Sequence, residues 1–138
     1  MKYTPDYILV ECQKEYLVDF TIKHLESNFK IKVVKAPFIY LTMIRAEDSV
    51  ELQEFYLGEA LTTECEVEID GVLGIGMCLG DEPERAYCIA IFDSLFSSGS
   101  PLPKVVSDFL DQQLQEIKES ERLAYNQVQL TKVDFKLM

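Results

Sequence analysis

Glu64-Cys65-Glu66-Val67-Glu68-Ile69-Asp70-Gly71-Val72-Leu73-Gly74-Ile75-Gly76 carries the clearest folding signal in the chain. Three glutamates alternate with Cys65, Val67 and Ile69, the period of a strand with one solvated and one buried face. Asp70-Gly71 then supplies a two-residue turn suited to positive φ. Such a turn pairs 69 with 72, 67 with 74 and 65 with 76. It also places Cys65 and Cys78 diagonally on one face of the hairpin.

Further strands are expected upstream. Ile31, Val33 and Val34 between Lys30, Lys32 and Lys35 suggest one, interrupted by Pro37. Phe38 to Ile44 reads as a second strand, apolar enough to be central, and Phe55-Tyr56-Leu57 as a third. Before them, roughly 5–28 is helical. Leu9, Cys12, Tyr16 and Phe20 form one stripe and Val18, Ile22, Leu25 and Phe29 another, which fits one wide face or two helices with a bend. After the hairpin, Gly80-Asp81-Glu82-Pro83-Glu84 starts a helix, with Asp81 as cap, Glu84 completing a capping box and Pro83 in the first turn. That helix runs to about Ser97 and is apolar nearly all round, so it is buried on more than one side or lies at an interface. Ser97 to Pro101 is a linker. A third helix opens at Pro103, with Val106, Leu110, Leu114 and Ile117 on one stripe, and ends near 124–127. Leu130 to Phe135 alternates as a short edge strand. The expected fold is α+β, one domain over 1–138, with an antiparallel sheet of about four to five strands and helices packed on it.

The chain has 138 residues and a net charge of −11. Residues 1–46 hold 7 basic and 5 acidic side chains, 85–138 hold 6 and 7, and 47–84 hold 12 acidic and no basic one. The acidic excess therefore lies between Glu47 and Glu84. No Lys/Arg cluster exists to displace phosphate counterions, which excludes non-specific nucleic-acid binding. No apolar run reaches the ~20 residues that span a bilayer. Met1 to Asp6 lacks a signal-peptide layout, so a cytoplasmic protein with reduced cysteines at 12, 65, 78 and 88 is expected.

Candidate chemistry is sparse. Gly74-x-Gly76-x-x-x-Gly80 lies between strand and helix, but its spacing fits neither a dinucleotide loop nor a P-loop. Asp81, Glu82 and Glu84 also occupy the helix start, where an anion would have to sit. Close packing is the better account of the glycines. A zinc site at Cys65 and Cys78 would need two more ligands, and His24 is the only histidine. No metal or cofactor is assigned to the chain. Asp93, among Ile89, Ala90, Ile91, Phe92, Leu95 and Phe96, is the most unusual carboxylate; a hydrogen bond to a loop or to Arg85 is its ordinary role. An independent enzyme would use Asp93 or Glu59 as base.

An ordered set of short motifs resembles the PhnG family, the G subunit of the bacterial carbon–phosphorus lyase system. It comprises Lys35-Ala36-Pro37, Leu41-Thr42-Met43-Ile44-Arg45, Phe55-Tyr56-Leu57-Gly58-Glu59, Thr62-Thr63-Glu64-Cys65, Asp70-Gly71-Val72-Leu73-Gly74, Gly80-Asp81 leading to Ala86, Ala90 and Asp93, and Thr131-Lys132-Val133-Asp134-Phe135. The family-motif positions carried over are Gly58, Glu59, Thr63, Cys65, Gly74, Gly80, Asp81, Ala86 and Asp93. Several basic positions of the family are acidic or missing here: Glu64 stands in place of an arginine, another arginine is absent at Gly80-Asp81-Glu82, and a glycine-rich basic segment is replaced by Ala46 to Glu51.

The resemblance implies a subunit of a multi-subunit transferase, not a self-sufficient enzyme. That assembly transfers a ribose 5-triphosphate unit from ATP, used with magnesium, to an alkylphosphonate and releases adenine. PhnH-, PhnI-, PhnJ- and PhnL-like subunits are the implied partners, with a homodimer or two copies per complex as the implied stoichiometry. The rival expectation is a stand-alone acidic protein- or metal-binding module descended from that family.

Overall fold

In the computed structural model, backbone is described for residues 4–137 and side chains through residue 130. Chain order is α1 (Pro5–Glu11), α2 (Lys14–Phe20) continuing as a π-helical stretch (Thr21–Glu26), β1 (Ile31–Glu47), β2 (Glu54–Ile69), β3 (Val72–Leu79), α3 (Pro83–Ser97) and α4 (Lys104–Leu137). The chain divides into two compact units: one holds α1 and α4, the other spans Lys14–Leu102.

The Lys14–Leu102 unit is built on the expected hairpin. Ile69 pairs with Val72, Val67 with Gly74 and Cys65 with Gly76. Asp70 and Gly71 both take positive φ, 51° and 80°, which matches the right-handed twist of the two strands. Strand order is β1-β2-β3, antiparallel throughout. Thr63, Cys65, Val67, Ile69, Gly74, Gly76 and Cys78 are buried on one face, and α3 covers it. Phe92 of α3 is fully buried, its ring centroid 6.0 Å from that of Phe20. The π-helical widening begins at Thr21, whose hydroxyl donates to the Leu17 carbonyl at 2.8 Å and so competes with the helix's own bonds.

The sheet among the described residues has three strands, not four to five. Ile31 to Ile44 is not two strands: β1 runs unbroken through Pro37, and its pairing with β2 slips between Lys35 and Phe38. An edge strand accepts this, because an outward-facing position needs no N–H. Phe38–Ile44 is therefore an edge segment rather than a central one. Phe55–Leu57 likewise belongs to β2, which continues without interruption to Ile69.

In the other unit, α1 is capped by the Thr4 hydroxyl, which accepts from the Tyr7 N–H at 3.3 Å, and Pro5 opens it. Cys12 turns extended, ψ 161°, so 5–28 is two helices rather than one. α1 packs on α4, and the Tyr7 hydroxyl donates to Glu121 at 2.5 Å. The buried stripe of α4 is Val106, Phe109, Leu110, Gln113 and Ile117; Leu114, expected there, is only half-buried. α4 does not stop near 124–127, and Leu130–Phe135 is helix instead of an edge strand. No glycine or proline interrupts 104–137, so nothing ends the helix. At 1.5 Å per residue it extends ~50 Å. Among the described residues no helix is long and apolar enough to cross a membrane.

Candidate functional site

Eight of the nine family-motif residues fall into two places, and the ninth, Asp81, is exposed just after Gly80. Thr63, Cys65, Gly74, Gly80, Ala86 and Asp93 gather along the seam between the hairpin and α3. Gly58 and Glu59 lie farther out on β2, opposite Ile44 and Met43.

The seam is made by glycine. A Cβ on Gly74 would sit 2.1 Å from the Ala90 carbonyl oxygen, and one on Gly76 would sit 2.0 Å from that of Ala86. The helix presents Ala86, Ala90 and Ser94 to them, one turn apart, so backbone approaches backbone. Close packing is thus what Gly74 and Gly76 do, as their spacing led us to expect. Ser94 adds a hydrogen bond to the Val72 carbonyl at 2.8 Å.

At the start of α3 the cap differs from the expected one. Asp81 is exposed, and the residue preceding Pro83 in the capping position is Glu82, without a side-chain cap bond. Buried Thr63 ties the turn down instead. Its hydroxyl donates to the Gly80 carbonyl at 2.6 Å and accepts from the Glu82 N–H at 3.0 Å. Gly80 takes φ 85° and donates its N–H to the Leu61 carbonyl at 2.7 Å. Arg85, also buried, pairs with Glu82 at 2.6 Å.

Asp93 accepts from the Ile75 N–H at 2.9 Å. Its partner is therefore a backbone N–H of edge strand β3, not Arg85. Blocking an edge N–H with a carboxylate removes one rung of an otherwise open ladder. Ile75 lies opposite Glu66, seven residues along β2 from Glu59. At ~3.3 Å per residue, Asp93 and Glu59 are roughly 20 Å apart, too far to act on the same bond.

Seam chemistry is correspondingly quiet. Burial, with a smaller contribution from the Glu66 charge, pushes the Cys65 thiol up to about 11, which removes its thiolate at neutral pH. Cys78 is raised the same way. Tyr87 is pushed up to about 12, first by burial and then by its hydrogen bond to Glu26 at 3.1 Å. Among the described residues no group of three or more His, Cys, Asp and Glu is placed to hold a metal ion.

What remains exposed is β1 and the outer reach of β2. None of the 17 residues of β1 is buried. β3 ends opposite Thr62, so from Leu41↔Leu61 outward only two strands continue, to Glu47↔Glu54. This arm bares Leu41 (60% exposed), Met43, Ile44, Phe55, Tyr56 and Leu57 (62%). Its tip holds Leu52 at φ 57° and 71% exposed, while Asp48 accepts from the Val50 N–H at 2.8 Å. Beside it, Leu73, Ile75, Met77 and Leu79 are exposed along β3. Glu64, Glu66 and Glu68 run between, held by Tyr40, Lys35 and Lys32 of β1. The apolar run Phe38–Ile44, which reads as a central strand in the sequence, is thus part of this exposed edge, and Phe55–Leu57 lies opposite its outer end.

No curated protein matches the chain. The family model described as Phosphonate metabolism protein PhnG matches residues 7–138 of the 138. The chain belongs to the PhnG family of phosphonate metabolism proteins.

Proposed function

We propose that this chain works, as one domain, as a docking subunit of a phosphonate-processing complex. It assists transfer of a ribose 5-triphosphate unit from ATP to an alkylphosphonate, with release of adenine, in an assembly with partner subunits of the H, I, J and L types, of which the I type supplies the catalytic groups of that step. The observation that carries this reading is the unburied arm. A two-stranded ribbon is marginal alone in water, and contiguous exposed apolar surface marks an interaction site. A larger partner that covers both ribbon faces explains why a strand as apolar as β1 has no fully buried residue within its own chain. The row of Glu64, Glu66 and Glu68 beside the apolar side chains asks for a partner surface that mixes basic and apolar groups.

Co-expression with H- and I-type subunits, followed by gel filtration at low salt, tests the proposal. Co-elution is expected for the native chain and loss of it for Leu41→Lys combined with Leu57→Lys. The reading falls if the native chain elutes alone, or if the double variant still co-elutes.

A further inference from the structure

Within the unit that contains α1 and α4, these helices leave a cleft of about 160 Å³. Tyr7 and Glu11 of α1 line it, with Gln113, Glu116, Ile117 and Glu121 of α4. Gln113 is only 3% exposed, and its Oε1 has no hydrogen-bond partner among the described residues. Gln113 also interrupts the buried stripe of Val106, Leu110 and Ile117, where an apolar residue would carry no such penalty. A buried amide oxygen without a donor is unfavourable, and Gln113 is one of the residues that line the cleft. The last torsion of a glutamine is soft and two-fold, so the oxygen can turn to the cleft when a donor arrives.

The chemistry of the walls selects that donor. No lysine or arginine lines the cleft. Three carboxylates and an amide oxygen repel an anion and attract a cation. A divalent metal is disfavoured, because no group of three or more metal-ligating residues is placed to hold one among the described residues. An organic cation fits: it carries several N–H donors, and its alkyl stem can lie on Ile117. A planar guanidinium presents five donors in a fixed fork, which suits acceptors spread over two helices better than a compact ammonium does. We infer that this cleft binds an alkylguanidinium group, held by Gln113 Oε1 and the Glu11 and Glu116 carboxylates, with the Tyr7–Glu121 hydrogen bond (2.5 Å) fixing the far wall. The inference is independent of the phosphonate reading.

Calorimetry on the full chain tests it with three probes: butylguanidinium, N-acetyl-arginine-N-methylamide and neutral butylurea. Saturable binding of at least one guanidinium is expected, weakening with added salt, and no binding of butylurea. Tighter binding of the arginine derivative identifies a protein side chain as the source. Equal or tighter binding of butylguanidinium identifies a free small molecule. Gln113→Leu should bind about tenfold more weakly or worse while melting no lower than the native chain, since it restores an apolar stripe. Glu116→Gln, on the surface, should also bind about tenfold more weakly. Absence of saturable binding by both guanidiniums would overturn the inference. So would equal binding of butylurea, or native affinity in both variants.

Discussion

Replacing Gly76 with alanine puts one methyl group into the seam between β3 and α3. That methyl would lie 2.0 Å from the Ala86 carbonyl oxygen and 2.6 Å from the Ala90 nitrogen. Ordinary contact begins near 3.4 Å, so the gap must open by 3.4 − 2.0, or 1.4 Å. Both obstructing atoms are backbone, and no rotamer change relieves them. The whole of α3 has to retreat, drawing Phe92 from its contact with Phe20. Overpacking of this kind costs ~1–3 kcal/mol where side chains can yield. With none able to yield here, the upper end is expected, about 3 kcal/mol, or roughly 10 °C in Tm for a chain of this size. Gly58→Ala is the internal control. Nothing lies within 4 Å of a Cβ there, and loss of glycine's unfolded-state freedom should stabilise by about 0.5 kcal/mol. Urea titrations followed by circular dichroism give both values. A Gly76→Ala midpoint indistinguishable from that of the native chain, or a Gly58→Ala loss as large as that of Gly76→Ala, would refute the account of the seam.

Thr63→Val keeps the shape but leaves the Gly80 carbonyl and Glu82 N–H without their partner; a loss of about 2 kcal/mol is expected by the same titration. Asp93→Ala should cost about 1 kcal/mol and speed amide exchange at Ile75, whereas Asp93→Asn, which still accepts, should do neither; equal exchange in both variants would show that the carboxylate does not hold the edge. Stability should also fall in alkali. Burial raises Cys65 from 9.0 to about 11 and Tyr87 from 10.0 to about 12, so folding favours their neutral forms. Their contribution is complete below pH 9 and is lost as pH rises through 11 to 12. A urea midpoint that stays flat across that window would contradict it.

The parts of this fold legible in the sequence are those governed locally. The Asp70-Gly71 turn fixes its register by backbone geometry, and Pro83 and Ser97 bound α3 where composition changes. Gly74 and Gly76 were readable because no other demand for glycine fits that spacing. Illegible parts depend on what lies outside the local window. Pro37 looks like a terminator unless one knows that β1 is an edge. Phe38–Ile44 looks like core because apolarity reports a wish for burial, not its location within one chain. Leu130–Phe135 alternates like a strand, yet continues a helix that nothing upstream has stopped. Thr63 was singled out through resemblance alone, because its partners Gly80 and Glu82 lie 17 and 19 residues on.

The glycine seam has a mechanical consequence. Most helix–sheet contacts are cushioned by side chains that can change rotamer, so a push on one layer is partly absorbed before it reaches the other. Between β3 and α3 there is no such cushion at Gly74 and Gly76. Displacement of Leu73, Ile75 or Met77 on the outer side of β3 is therefore transmitted to the α3 backbone with little damping. The two elements move as one stiff plate, while the two-stranded arm beside them is the compliant part.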